Sequence, residues 1–153
     1  MKEKTTGELE QELKRTSPAN FDEYLKNNQS AMVDHGRCFM DYMNRIIKEK
    51  GLLKRDIFLR ADIPQGYGYK LLSEEKVTKQ RDIILRICYA ANCTLQETQH
   101  ALQLYQMSPL YARESRDALI MACFNNRPGN VTDVNELLLK NKMNPLRSSG
   151  MQE

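Results

Sequence analysis

The sequence predicts an all-α protein, and three observations support that class. Apolar residues recur at helical spacing over long segments of the 153-residue chain and make up 41% of it, as in a protein that buries a core. Helix N-termini are marked by a capping residue followed three positions later by an acidic one, as at Thr94 with Glu97 and at Asn130 with Asp133. Between residues 50 and 91 the predicted helices are short, and tight turns join them.

Residues 50–91 carry the most specific pattern in the chain. Leu53 to Arg60 is predicted to form one helix, Ala61 to Ile63 a turn, and Pro64 to about Leu72 a second helix. Pro64 suits the first turn of a helix, where a missing backbone N–H is harmless. A turn this short holds its helices at a steep angle, so that one of them can project into the major groove of DNA. The apolar side chains that could face a common core are Ile57, Phe58, Ile63, Leu71 and Leu72.

This pattern resembles the Cro/repressor (XRE-type) helix-turn-helix family of bacterial and phage transcriptional regulators. Phe39 to Lys50 matches the long first helix of that family, and Lys50-Gly51-Leu52 matches the joint that follows. Arg81 to Ala91, followed by Asn92-Cys93-Thr94-Leu95, matches the fourth helix and its exit. The resemblance covers residues 36–98 and implies a lambda-repressor-like domain that binds DNA.

Several positions depart from the family pattern. Phe58 stands where the family usually has a small Ala, Asp62 where it has a Gly in the turn, and Pro64 where it has a Ser. The recognition helix also carries Gly66 and Gly68, each of which costs about 1 kcal/mol relative to Ala. These glycines either allow close backbone approach to DNA or to another helix, or they mark a short, frayed helix whose reading role has lapsed.

The resemblance also implies which residues contact DNA. In the family, the N-terminus of the first helix of the unit meets phosphate, and early residues of the recognition helix meet base edges. Basic residues in the loop after the recognition helix are suitably placed for further backbone contact. Gln pairs with adenine, Lys with guanine or phosphate, and Tyr with phosphate or a thymine methyl group. The residues assigned in this way are Lys54 and Arg55 to phosphate, Gln65, Gly66, Tyr69 and Lys70 to bases, and Lys76 and Lys79 to the backbone.

Charge is uneven along the chain. Residues 36–80 carry ten Lys and Arg against six Asp and Glu, whereas residues 1–35 carry five against seven and residues 81–153 carry eight against seven. The basic excess therefore lies on the predicted helix-turn-helix, as a phosphate-binding surface requires. An ordinary solvated surface would carry the same charges, Tyr67 suits a core position as well as a DNA contact, and Glu74 and Glu75 would repel any phosphate that they faced.

The chain is predicted to form a lambda-repressor-like helical domain that is extended at both ends. Its segments are a helical N-terminal extension over 1–33, the helix-turn-helix domain over 36–98, a C-terminal helical extension over 99–146 and a disordered tail over 147–153. Helix-forming composition from Gly7 to Arg15, and Ser17 before Pro18, predict two helices in the N-terminal extension. This extension could dock on the core, pair with another subunit, or stay mobile until a partner binds.

The second half of the chain contains an internal repeat. Residues 81–110 align with residues 116–146, and each copy reads as helix, turn, helix and a Met-x-Pro-Leu exit. The matched residues are Arg81-Asp82 with Arg116-Asp117 and Cys88-Tyr89 with Cys123-Phe124 at an offset of 35, and Met107, Pro109 and Leu110 with Met143, Pro145 and Leu146 at an offset of 36. Two amphipathic hairpins of this kind can stack and bury a shared core, which predicts a C-terminal helical hairpin.

Other classes of protein are disfavoured by what the sequence lacks. No apolar run is long enough to span a membrane, and the start MKEKTTGELEQE is too polar for a signal peptide, so we expect a cytoplasmic protein. The four Cys residues include no C-x-x-C pair, and with two His residues we expect buried free thiols and no metal or other cofactor. No motif indicates an enzyme.

Two functions remain open on this basis. The first is a DNA-binding transcriptional regulator that contacts a short operator half-site and, because a lone module buries little surface, binds double-stranded DNA as a homodimer. The second is a helical interaction or adaptor module, for example one that regulates a kinase or a toxin, with weak or no DNA binding. In either case the N-terminal extension and the C-terminal hairpin are the candidate surfaces for a protein partner or for dimerisation.

Overall fold

The computed structural model describes residues 4–73 and 77–148. Those residues form helices and turns without any strand, which confirms the predicted all-α class for the described part of the chain. The chain divides into two compact units, an N-terminal unit over residues 1–34 and a C-terminal unit over residues 35–153. The α-helices of the described residues are α1 (Thr6–Lys14), α2 (Phe21–Asn27), α3 (His35–Glu49), α4 (Lys54–Ala61), α5 (Gln65–Leu71), α6 (Arg81–Ala90), α7 (Leu95–Leu104), α8 (Ser115–Asn126) and α9 (Val131–Lys140).

Polar contacts hold the N-terminal unit together. Asn28, which is buried at the end of α2, accepts a hydrogen bond from Lys4 Nζ at 2.7 Å and donates one to Glu12 Oε1 at 3.0 Å. Glu12 Oε2 also lies 2.9 Å from Lys4 Nζ, so the three side chains close a network between α1 and the end of α2. Helix α2 contributes little apolar burial to this unit, since Phe21 remains 46% exposed and Tyr24 alone is buried in that helix.

In the C-terminal unit the core is built around α6. Every residue of that helix from Ile83 to Ala90 is buried, and α6 packs against α4, α7 and α9. A helix with apolar residues on several sides belongs inside a protein, and α6 is enclosed by these three helices. Helix α3, which is the predicted first helix of the helix-turn-helix domain, begins at His35 rather than at Phe39. The Nδ1 atom of His35 lies 3.2 Å from the Leu104 carbonyl oxygen, and this contact anchors the first turn of α3.

The turns around α4 use the left-handed backbone region. Gly51 ends α3 with φ of 66°, while the Leu52 N–H bonds the Ile47 carbonyl at 3.0 Å. Asp62 ends α4 with φ of 54°, and the Ile63 N–H bonds the Phe58 carbonyl at 3.0 Å. Both ends therefore follow the Schellman pattern. Asp62 fills a position that suits Gly, because Asp enters the left-handed region more readily than most residues.

The link from α4 to α5 differs slightly from the prediction. Pro64 precedes α5 as its N-cap, with ψ of 131°, rather than lying in the first helical turn. Its extended ψ angle accounts for this, because a residue in the first turn needs a helical ψ. Helix α5 thus begins at Gln65, one residue later than predicted, and α4 begins at Lys54 after an extended Leu53.

Phe58 and Gly68 form the contact between α4 and α5. Phe58 is fully buried, and a Cβ atom added to Gly68 would lie 2.5 to 2.7 Å from three atoms of its ring. No real Cβ atom approaches a ring that closely, so the bulky side chain on α4 requires a Gly on α5. Of the interpretations considered for Gly68, the structure supports close approach to another helix. Gly66 differs, because an added Cβ there would meet nothing within 4 Å.

Two reciprocal ion pairs join the two helical hairpins of the C-terminal unit, which are α6–α7 and α8–α9. Arg81 on α6 bonds Asp117 on α8 at 2.5 and 3.2 Å, and Arg116 on α8 bonds Asp82 on α6 at 2.9 and 3.2 Å. Helix α7 begins at the predicted capping box of Thr94 with Glu97, and α9 begins at that of Asn130 with Asp133; each box is complete.

The predicted disordered tail, over residues 147–153, begins beside α6. The backbone N–H of Arg147, its first residue, donates a hydrogen bond to Asp82 Oδ2 at 3.0 Å. The second Met-x-Pro-Leu exit ends at Leu146, and its register places the next backbone N–H beside the partly buried Asp82 carboxylate. Residues 149–153 of that predicted tail lie outside the described residues.

The capping box of α7 also links stability to pH. Glu97 accepts a hydrogen bond from the Thr94 N–H at 2.8 Å and lies 3.3 Å from Lys50 Nζ. Burial acts to raise the pKa of Glu97, but the bond from Thr94 and the Lys50 ammonium together outweigh it, so this pKa lies below its ordinary value of 4.5. A depressed folded-state pKa means that the stabilisation is complete above the unfolded-state pKa and is lost as pH falls through the folded-state value.

We therefore expect Glu97→Gln to reduce the acid dependence of stability. The wild-type chain should lose part of its unfolding free energy as pH falls from about 5 to about 3, and the variant should lose less over that window. Chemical denaturation followed by circular dichroism at several pH values measures this. Glu136→Gln, on an exposed position of α9, is the matched control; an identical acid dependence in Glu97→Gln and wild type would contradict the expectation.

Candidate nucleic-acid interface

One face of α5 is exposed, and it carries the four residues that the resemblance assigns to base reading. Gln65, Gly66, Tyr69 and Lys70 are exposed, whereas Gly68 and Leu71 are buried. Residues four apart on a helix lie on the same face, so the pairs 65 with 69 and 66 with 70 form one continuous surface. The packing of Gly68 against Phe58 turns this surface away from the core.

The two tyrosines of α5 have different surroundings. Tyr67 is partly buried and packs against the hydrophobic core. Tyr69 is 43% exposed, and its ring meets the ring of Phe58 edge-on, with 5.1 Å between the ring centroids. This contact fixes the orientation of the Tyr69 ring while leaving its outer edge accessible, so Tyr69 is the tyrosine of α5 that a ligand on this face would meet.

The start of α4 is the candidate phosphate contact. Leu53, its N-cap, is extended and makes no side-chain hydrogen bond to the first turn, so no side chain competes for the amides at this end. Lys54 is half-buried and Arg55 is exposed. Arg55 Nε lies 3.8 Å from the carboxylate of Asp56, which reduces the positive potential at this point. Lys54 forms no ion pair within residues 4–73 and 77–148, which leaves its charge available.

Two further residues on α4 belong to this surface, although the sequence did not single them out. Arg60 is exposed and forms no ion pair with any residue that the structure describes. Leu59 is 73% exposed. They lie four positions after Asp56 and Arg55 respectively, so the four side chains share the outer face of α4. That helical spacing was the signal in the sequence that could have identified them.

Of the two basic residues predicted to contact DNA after α5, the structure describes Lys79. Lys76, together with Glu74 and Glu75, lies outside the described residues. Lys79 is exposed and lines an open groove with Met107, Pro109 and other residues of the C-terminal repeat, and no α5 residue lines that groove. The structure thus brings together the predicted residues on α5, and separately those at the start of α4, whereas Lys79 lines a groove with residues of the C-terminal repeat.

A buried arginine positions the end of α4. Arg86 on α6 is 3% exposed, and it donates to the carbonyl of Ala61, the last residue of α4, and to the carbonyl of Leu146, each at 2.7 Å. Burial lowers the pKa of Arg86, although the carboxylates of Asp62 and Asp82 act in the opposite direction. A cation at a helix C-terminus is favourable, so Arg86 holds α4 against the C-terminal exit just before the turn to α5.

The remaining chemistry of the described residues is limited. Cys88 and Cys123 are buried free thiols, as expected for Cys on apolar helix faces; Cys93, in the turn between α6 and α7, is also a buried free thiol, and Cys38 is partly exposed. Within residues 4–73 and 77–148 no group of three or more His, Cys, Asp or Glu is placed to hold a metal ion. In the same residues no helix has the length and apolar character needed to cross a membrane.

The whole chain was compared with known protein families, curated proteins and solved structures. No protein family, curated protein or solved structure matches this chain. Membership of the Cro/repressor family and the lambda-repressor-like fold therefore stay predictions, and function must be inferred from the surfaces of α4 and α5 themselves.

Proposed function

We propose that the chain is a DNA-binding transcriptional regulator in which α4 and α5 form the helix-turn-helix of a lambda-repressor-like domain. The observation that carries this proposal is the exposed face of α5, where Gln65, Gly66, Tyr69 and Lys70 lie together. Gly68, on the opposite side of the helix, packs on Phe58, so the exposed face of α5 remains free for a ligand.

The chemistry of this face suits base edges and phosphates. Gln65 can pair with adenine through two hydrogen bonds, and Lys70 can bind guanine or a phosphate. Tyr69, held edge-on by Phe58, offers a hydroxyl donor and an apolar ring edge to the same groove. Gly66 has open space around it, so the α5 backbone could approach DNA closely at that residue.

Basic residues on α4 would supply the sequence-independent part of the affinity. Lys54, Arg55 and Arg60 are accessible on this helix, and the amides at its start favour an anion. Each phosphate neutralised by such a residue releases condensed counterions and makes binding sensitive to salt. Asp56 opposes this effect on the same face, so we expect a modest number of phosphate contacts.

A salt titration with random duplex DNA tests the proposal. Affinity should fall steeply between about 50 and 200 mM salt, and Lys54→Ala and Lys70→Ala should each reduce the slope of log affinity against log salt by about 1. Lys140→Ala, at an exposed position of α9, is the matched control and should leave the slope unchanged. Equal slopes for wild type and both variants would reject the assignment of these residues.

An interaction module remains the second candidate, and one observation favours it. Leu59 and Leu53 are 73% and 59% exposed on or beside α4, and phosphates offer no favourable contact for such side chains. A protein partner would bury them, with about 25 cal/mol gained for each Å² of apolar surface removed from water. The titration separates the two functions, because an interaction module should show little DNA binding at moderate salt.

A further inference from the structure

The two C-terminal hairpins contact each other through equivalent residues. Arg81 of the first hairpin (α6–α7) bonds Asp117 of the second (α8–α9), and Arg116 of the second bonds Asp82 of the first. The repeat offset of 35 relates Arg81 to Arg116 and Asp82 to Asp117. A pairing in which residue i meets j while j meets i is the property of an isologous, two-fold interface. Helix packing has the same reciprocity, because α6 packs on α9 and α8 packs on α7.

The backbone contacts of these carboxylates repeat in the same way. Asp117 Oδ2 accepts the N–H of Tyr111 at 3.0 Å, and Asp82 Oδ2 accepts the N–H of Arg147 at 3.0 Å. Tyr111 and Arg147 are the residues that follow the two Met-x-Pro-Leu exits, and the offset of 36 relates them. Each carboxylate therefore binds an arginine from the other hairpin and a backbone N–H just after an exit.

The exits themselves are held by equivalent bonds. Arg81 donates to the carbonyls of residues 108 and 109 at 3.2 and 3.3 Å, and Arg116 donates to those of residues 144 and 145 at 2.9 and 3.2 Å. The Leu110 N–H bonds the Gln99 side chain at 2.8 Å, and the Leu146 N–H bonds the Asn135 side chain at 2.8 Å. Both hairpins thus have the same internal structure as well as the same mutual contacts.

An aromatic pair marks the approximate two-fold axis. The rings of Tyr89 and Phe124, which the offset of 35 relates, meet edge-on with 5.2 Å between their centroids. In a two-fold arrangement, a residue can contact its own equivalent only near the axis. The contact of Tyr89 with Phe124 therefore places the axis between the two hairpins, as the reciprocal ion pairs do.

From these contacts we infer that residues 81–147 form a two-fold dimer of hairpins within one chain, so that the protein acts as a monomer on a single, non-palindromic DNA half-site. Helices α3, α4 and α5 precede the first hairpin, and no equivalent helices precede the second, because only the ten residues 105–114 separate α7 from α8. The chain therefore has one α5 reading surface for two hairpins. This inference rests on the proposed DNA-binding function and refines its target.

The packing of the second hairpin explains why a second chain is not needed to bury its apolar side chains. The sequence suggested this hairpin as a dimerisation element, but Ile120, Phe124, Val134 and Leu138 are buried within the chain. Among the described residues of α8 and α9, Leu139 is the one large apolar side chain that stays exposed. The apolar face of the second hairpin is therefore already covered within the chain, by the first hairpin.

The first test is the mass of the full chain in solution. Sedimentation equilibrium from micromolar to submillimolar concentration should give the mass of one chain throughout, and the same chain with a short random duplex should form a complex with one protein per duplex. A concentration-dependent dimer without DNA would overturn the inference, whatever the result with DNA.

The second test is the symmetry of the preferred DNA sequence. Selection by the full chain from a library of random duplexes should enrich one short, asymmetric motif. Enrichment of a palindrome whose half-sites lie about one helical turn, or about 10 base pairs, apart would overturn the single-site inference and leave DNA binding intact. Failure to enrich any sequence, together with the absence of salt-dependent binding, would overturn the proposed function and this inference with it.

Discussion

Replacing Gly68 with alanine is expected to destabilise the protein by about 1 to 3 kcal/mol. The added Cβ would lie 2.5 to 2.7 Å from ring atoms of Phe58, and that ring is fully buried, so it can move aside only by shifting the core residues around it. Chemical denaturation followed by circular dichroism measures the change. Gly66→Ala is the matched control on the same helix, because it meets nothing within 4 Å; we expect it to be neutral or to stabilise by up to about 1 kcal/mol.

A second substitution identifies the cause of that loss. Phe58→Ala alone should cost about 3 to 5 kcal/mol, because it removes a buried ring and leaves a cavity. In the double variant the methyl group added at position 68 no longer meets a ring, so the combined loss should be smaller than the sum by about 0.5 to 3 kcal/mol. Additive losses, or a Gly68→Ala variant as stable as wild type, would show that the contact between α4 and α5 does not constrain residue 68.

Asp117→Ala is the other substitution with a large expected effect, a loss of about 3 kcal/mol. Its carboxylate is buried, with 7% of the side chain exposed, and it accepts bonds from Arg81 and from the Tyr111 N–H. Removing it leaves the Arg81 guanidinium without an anion in a site where water is mostly excluded. Arg81 keeps 25% exposure, which is why we expect the lower end of the range for breaking a buried ion pair.

The equivalent residue and a double-mutant cycle complete this test. Asp82→Ala should cost less than Asp117→Ala, since 13% of its side chain is exposed. The cycle of Arg81→Ala with Asp117→Ala should give a coupling energy of about 1 to 3 kcal/mol, whereas that of Arg81→Ala with Asp82→Ala should give less than about 0.5 kcal/mol. Stronger coupling between the sequence neighbours than across the hairpins would contradict the reciprocal interface.

Local features of the protein could be predicted from the sequence because they depend on residues close together in the chain. The capping boxes at Thr94 and Asn130 are present as predicted, and α4 and α6 lie within one residue of their predicted ends. The joint at Gly51 needs a left-handed backbone, which a Gly in the sequence indicates. These features follow from hydrogen bonds and dihedral preferences that span a few residues.

Contacts between distant parts of the chain could not be predicted from the sequence pattern. Phe58 and Gly68 appeared as two separate departures from a family pattern, and only their contact shows that a large residue on α4 is matched by a small one on α5. The sequence around Arg86 contains no sign that this residue is buried, yet it is 3% exposed and donates to the Ala61 and Leu146 carbonyls. Such pairings depend on which helices meet, and spacing along one helix does not report that.

The sequence by itself determined the all-helical class, the helix boundaries to within a few residues, the repeat and the residues expected on the face of α5. The tertiary structure alone decided that this face is exposed, that α4 and α5 approach through Phe58 and Gly68, and that the two hairpins pair reciprocally. The physical reason is the range of the interactions. Helices and caps form from neighbours in the chain, whereas burial and ion pairs such as Arg81 with Asp117 exist only once distant segments have packed together.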